Sequence, residues 1–216
     1  MSPQTVLSSI RDEIVESTAA FWTDAEIYRH MWHAEYILAD ATNCTEATTA
    51  ITTVTNQSDY TTPANVLHYL RVEYNNATLK RIGKPERDAM EFRTYGGTFS
   101  AGNPEFYLQF GDLITFHPVP NAAKTVNIDH VKRPAEITTA STQFTVPEQF
   151  QFYVKDYAVY RCLSKDGDNV RSDRYLNLWN DNLKKSKQEW ADRNGTGRYQ
   201  VVKSEDFFPS TDLGPI

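Results

Sequence analysis

Five histidines, His30, His33, His68, His117 and His130, are the residues best suited to ligating or proton-transfer chemistry in this chain. His30 and His33 lie three apart, with Glu26 one turn before His30. On a helix that spacing can set three ligands on one face, which is the chemistry of a metal-ligating site. A packed or solvated helix face uses the same residue types and is the favoured reading. Lys165-Asp166-Gly167-Asp168-Asn169 resembles the start of a calcium loop. It lacks the third spaced acid, the glycine at the sixth position and the closing glutamate, so a polar helix–helix turn is expected there. Cys44 and Cys162 are too few and too far apart in sequence for a zinc site or a disulfide framework, and are read as two reduced thiols. No P-loop, dinucleotide-binding glycine fingerprint, G-x-S-x-G elbow or H-E-x-x-H is present. No residue is therefore assigned as catalytic, cofactor-binding or metal-ligating, and no cofactor is expected.

The elements that would carry these residues follow from periodicity. A helix is predicted within residues 3 to 20, with Pro3 near its start and Val6, Leu7, Ile10 and Ile14 on one face. Thr23 followed by Glu26 is a capping box, so a second helix should begin at Asp24. Ile27, Met31, Ala34, Leu38 and Ala41 form its core stripe. Tyr28, Trp32 and Tyr36 form a second stripe at fourfold spacing. Two apolar stripes on one helix demand two packed sides, within the domain or against another subunit.

Residues 42 to 62 switch to threonine with valine and isoleucine, a strand-type composition. "VLHYLRVEYNNATLKRIG" reads as two strands about an Asn75-Asn76 turn, and "KPERDAMEFRTY" as a short helix opened by Pro85. "LITFHPVPNAAKTVNIDHVKRPAEI" reads as a further hairpin, with Ile114 and Phe116 facing Val126 and Ile128. Pro118, Pro120 and Pro134 lack the N–H that a ladder needs, so they bound its strands. After Pro147 the period is helical: Phe150, Val154, Tyr157 and Arg161 share a face. A break at "SKDGDNV" follows, then a run over Arg171 to Asp192 with Leu176, Trp179, Leu183 and Trp190. Asn194-Gly195 is the expected helix stop. The last stretch, with Phe207, Phe208, Leu213 and Ile216, is expected to be an extended arm.

The chain has 216 residues, 40% hydrophobic and 23% charged, enough for a real core. Its formal net charge of −6 argues against gripping nucleic acid by counterion release. No stretch approaches the ~20 apolar residues of a membrane span. The N-terminus lacks the basic and apolar regions of a signal peptide, so a cytoplasmic start is expected and the four Asn-x-Ser/Thr matches are attributed to chance. Helices, then strands, then helices give an α+β class: a bundle of N- and C-terminal helices (1–45 and 147–195), a central antiparallel β-rich insertion (46–146) and an arm (196–216).

Several landmarks then occur together and in order. "FWTDAEIYRHMWHAEYILAD" resembles the Trp-x-Asp-x-Glu helix opening of head-to-tail adaptor (connector) proteins of tailed bacteriophages. "YTTPANVLHYLRVEYNNATLKRIG" is similar to their Tyr-x-x-Pro strand and hairpin. "GNPEFYLQFGDLITFHPVP" is similar to their Gly-x-Pro segment, aromatic strand and Pro-x-Pro turn. "VNIDHVKRPAEI" resembles the returning strand ending Lys-x-Pro, before "VPEQF" opens the helical end. The resemblance covers about residues 20 to 190. His130 departs from it, standing where an aromatic is usual.

The resemblance implies a non-enzymatic virion protein at the head–tail interface, assembled in the host cytoplasm. It implies a homo-oligomeric ring, commonly of twelve copies, beneath the portal protein. That ring would extend the DNA channel, let viral DNA pass without specific binding, and offer a platform to a tail or nozzle protein; no membrane is involved. The helices would form the ring body and the β-part its tail-facing projection. Tyr28, Trp32, Tyr36, Phe207, Phe208 and Leu213 are the expected interface residues. Two alternatives stay open: another virion assembly component, such as a tail completion protein, and a metal-dependent enzyme using His30, His33 and a carboxylate.

Overall fold

Local capping chemistry sets the first elements. Pro3 occupies the first turn of α1 (Pro3–Ile14), and Ser2 Oγ accepts the Thr5 N–H at 3.3 Å. Thr23 Oγ1 likewise accepts the Glu26 N–H at 3.3 Å and opens α2 (Asp24–Thr42), which ends on Asn43 in a left-handed conformation. The Glu26 carboxylate does not serve the cap; it pairs with Lys165 at 2.7 Å. The computed structural model describes residues 1–16, 21–95 and 101–193, the side chains of 91–95 excepted. Phe207, Phe208, Leu213 and the rest of the expected arm lie outside the described residues.

The middle of the chain forms β1 (Glu46–Thr52), β2 (Asp59–Thr61), β3 (Val66–Tyr74), β4 (Ala77–Thr78) and β5 (Lys80–Arg81). A helix, α3 (Lys84–Tyr95), follows, with Glu86 Oε2 accepting the Gly83 N–H just before it. Then come β6 (Ala101–Gly102), β7 (Phe106–Phe110), β8 (Leu113–His117), β9 (Val119–Pro120) and β10 (Thr125–Lys132). Two long helices, α4 (Glu148–Asp166) and α5 (Asn169–Arg193), close the described chain. The architecture is α+β, with helices at both ends and largely antiparallel sheets between them.

The strands build two four-stranded sheets, β1-β10-β3-β4 and β2-β8-β7-β5, beside a two-residue bridge of β6 with β9. Two hairpins are local. β3 and β4 join through Asn75 and Asn76, both at positive φ (49° and 66°), the conformation that a two-residue type I′ turn requires. β7 and β8 join through Gly111-Asp112, with Gly111 at φ 58°.

The hairpin expected over residues 113–137 is not one. β8 pairs with β7 and β2, while β10 lies between β1 and β3 in the other sheet. Pro118 and Pro120 carry no N–H, so 118–124 cannot continue a ladder and instead crosses from one sheet to the other. Its hydrogen bonds are irregular: Pro120 O accepts from Asn56 N at 2.8 Å, Asn121 N donates to Gly102 O at 3.1 Å and Lys124 N to Thr53 Oγ1 at 2.9 Å. The facing of side chains survives the correction. Ile114 and Phe116 from one sheet meet Val126 and Ile128 from the other in a shared core with Tyr60, Val72, Tyr74 and Tyr107. Each such buried side chain contributes about 1.5–3 kcal/mol.

A second core lies among the helices. Val6, Leu7 and Ile10 of α1, Ile27, Met31 and Leu38 of α2, Phe150, Val154 and Leu163 of α4, and Trp179 of α5 are buried together. The return segment after β10 also belongs here, since Ile137 and Val146 are buried in this cluster. Glu13 fastens the bundle from α1, accepting from Lys155 of α4 at 3.2 Å and from the Tyr175 hydroxyl of α5. Among the described residues, no helix is long and apolar enough to cross a membrane.

Candidate functional site

The second stripe of α2 is consumed progressively along the helix. Tyr28 is 5% exposed and sits in the helical core, its hydroxyl donating to Gln4 Oε1 at 3.3 Å. Trp32 is half-buried, and its Nε1–H donates to Pro134 O at 3.1 Å, tying α2 to the strand exit. Tyr36 stands edge-on to Trp32 at 6.4 Å and is 37% exposed. The intrachain fold therefore takes Tyr28 and most of Trp32, and leaves Tyr36 as the open end of the stripe.

The ligand candidates do not converge. Glu26 is held by Lys165, and the His33 ring leans on the Trp32 ring at 5.3 Å. Burial, with Arg161 beside it, lowers the His30 pKa to about 4, so this imidazole is neutral near pH 7. Lys165-Asp166-Gly167-Asp168-Asn169 forms the turn between α4 and α5. Gly167 caps α4 at φ 86°, and Asp168 Oδ1 accepts the Arg171 N–H at 3.1 Å in the first turn of α5. His130 is buried, with Nδ1 3.1 Å from Ile128 O, and His117 is buried on β8. The two thiols are buried as well, and burial raises Cys44 to about 11 and Cys162 to about 12, so both stay protonated and weakly nucleophilic.

One structural residue escaped the periodicity reading. Glu35 is fully buried on the core side of α2, and its Oε1 accepts from Thr145 N at 2.7 Å and Val146 N at 3.0 Å. Desolvation raises its pKa to about 7, against the opposing pull of those two donors. The signal was present as an acid four residues after Met31 and three before Leu38, on the core stripe itself. Its geometry is that of a clamp joining α2 to the segment that opens α4.

Apolar side chains also remain uncovered on each body of the fold. On the sheets, Phe110 (63% exposed) and Leu113 flank the Gly111-Asp112 turn, with Lys84 Nζ 5.0 Å over the Phe110 ring. On the helices, Phe152 of α4 (60% exposed) borders a small cleft lined by Met1, Val6 and Lys155. Sequence reasoning assigned no contact role to Phe110, Leu113 or Phe152. Exposed aromatics on a rigid scaffold are the raw material of protein contacts.

No curated protein matches the chain. The family described as SU10 adaptor protein matches it over residues 1–201, a span that takes in all the described helices and strands. The order of landmarks noted in the sequence and this match agree, and the chain belongs to the SU10 adaptor protein family, structural proteins of the bacteriophage virion.

Proposed function

We propose that the protein is a head–tail adaptor that assembles as a homo-oligomeric ring beneath the portal, extends the channel for the genome and receives the tail. Membership of the adaptor family supports the class of role. The observation that carries the ring is the exposure of apolar side chains on two different surfaces, Tyr36 and Phe152 on the helices and Phe110 with Leu113 on the sheets. A closed ring uses heterologous contacts, in which one patch of a subunit meets a different patch of the next, so two unlike patches are what a ring subunit needs. The role is structural and non-enzymatic. The acidic balance of the chain, −6, suits a lumen along which DNA slides without being held.

Electron microscopy of the purified protein mixed with portal rings tests this. The expected result is a closed ring seated on portal, with a net negative lumen. Binding to isolated tail parts and not to portal would instead favour a tail completion protein.

A further inference from the structure

Two exposed surfaces, on different bodies of the fold, complement each other in size and charge. The first is a knob. Phe110 ends β7 at the Gly111-Asp112 turn, exposed to solvent, with Lys84 Nζ 5.0 Å over its ring. Arg81, Ile82 and Leu108 border the same shallow cleft. Arg81 and Lys84 are exposed, and neither makes an ion pair among the described residues. The nearby acids are turned to other work: Glu86 accepts the Gly83 N–H at 2.9 Å, and Asp112 lies in a separate cleft with Thr62 and Arg133.

The second is a hole. Thr5, Val6 and Ser9 of α1 and Phe152 and Lys155 of α4 line, with Met1, a mainly apolar cleft of about 140 Å³. An apolar cavity of about 150 Å³ holds one benzene ring, so this cleft is sized for a single phenyl side chain. Its borders lean acidic. The helical period sets Asp12 on the α1 face of Thr5 and Ser9, and Glu148 on the α4 face of Phe152 and Lys155. Glu13 answers Lys155 at 3.2 Å and the Met1 amino group answers Glu148 at 3.4 Å, while Asp12 makes no ion pair among the described residues. We propose that Phe110 of one copy seats in the α1–α4 cleft of a second copy, bringing Lys84 and Arg81 against Asp12 and Glu148. The Lys84 ammonium enters with the ring, and its attraction to the ring grows as water is excluded. The pairing rests on the ring reading and names the two patches that meet. Knob and hole are different surfaces of one subunit, so every copy offers both and the contact passes from copy to copy.

Assembly of the full chain on portal rings, followed by mass photometry and electron microscopy, tests the pairing in wild type, Phe110→Ala, Lys84→Glu, Asp12→Lys and the double variant Lys84→Glu/Asp12→Lys. All of these positions are exposed, and circular dichroism checks that each variant is folded. Phe110→Ala should need at least about tenfold more protein for the same ring occupancy, the cost of one lost phenyl contact. Each single charge swap should weaken ring closure, and the double variant should recover it, since each contact then joins one swapped residue to the other. Phe110→Ala rings as complete as those of wild type would overturn the pairing and leave the ring standing. Single swaps that weaken closure without mutual rescue would also overturn it, because the two patches would then meet other surfaces. Wild-type protein bound to portal only as separate copies would remove the ring reading and this pairing with it.

Discussion

Glu35 shows how much one side chain can set. An isolated carboxylate in an apolar core is costly, and here two backbone N–H groups offset only part of that cost. Its pKa, raised to about 7, means that the folded state holds this proton more tightly than the unfolded chain does. The stability that the protonated form contributes is present below the ordinary carboxylate range and is lost as pH rises through about 7. A shift of that size corresponds to at most about 3 kcal/mol. His30 runs the other way: its pKa is lowered to about 4, so the stability of its neutral form is lost as pH falls from its ordinary value towards 4. Comparing wild type with Glu35→Gln therefore isolates the carboxylate. In urea denaturation the variant should gain on wild type by about 2–3 kcal/mol between pH 4.5 and pH 8. A stability difference independent of pH would refute the assignment.

Helix ends and strand partners obey different rules. α1 stops on Val15 at φ 59°, a β-branched residue in the left-handed region, 83% exposed and making no core contact that would explain its identity. That conformation costs a non-glycine residue about 1–2 kcal/mol, and glycine adopts it freely. Val15→Gly should raise stability by about 1 kcal/mol in thermal melts, the gain being trimmed by glycine's greater freedom in the unfolded chain. No gain, or a loss, would mean that the Val15 side chain is used. The turn at Asn75-Asn76, the cap at Thr23 and the helix–helix turn at 165–169 were legible in the sequence because each is decided within four or five residues. The pairing of β8 with β7, in place of β10, was not. Alternation says which face of a strand is apolar, not which strand lies beside it. Leu113–His117 and Thr125–Lys132 satisfy the same pattern in one sheet or in two facing ones.

For the whole molecule, the helical body and the two facing sheets each bury a separate core, joined by the Trp32–Pro134 hydrogen bond and the His68–Asp40 pair at 2.7 Å. Tyr36 belongs to neither core. Tyr36→Ala should therefore leave a folded subunit that assembles poorly, and removal of the expected arm from Ser204 onward is predicted to do the same by a different contact. Mass photometry with portal rings reads the assembly, and circular dichroism the fold. Attachment as complete as that of the full chain would remove either surface from the interface.

By itself the sequence determined the α+β class, the helix starts, the local turns and the order of landmarks that marks an adaptor. All of these rest on short-range spacing, backbone preference and composition. Only the tertiary structure decided that the proline-bracketed segment spans two sheets, that Tyr28 is inside while Tyr36 is outside, and that an acid on the core stripe clamps the entry to α4. Those outcomes depend on which distant surfaces meet, and burial in a shared core is set by partners more than 80 residues away along the chain, as Pro134 is from Trp32 and Val146 from Glu35.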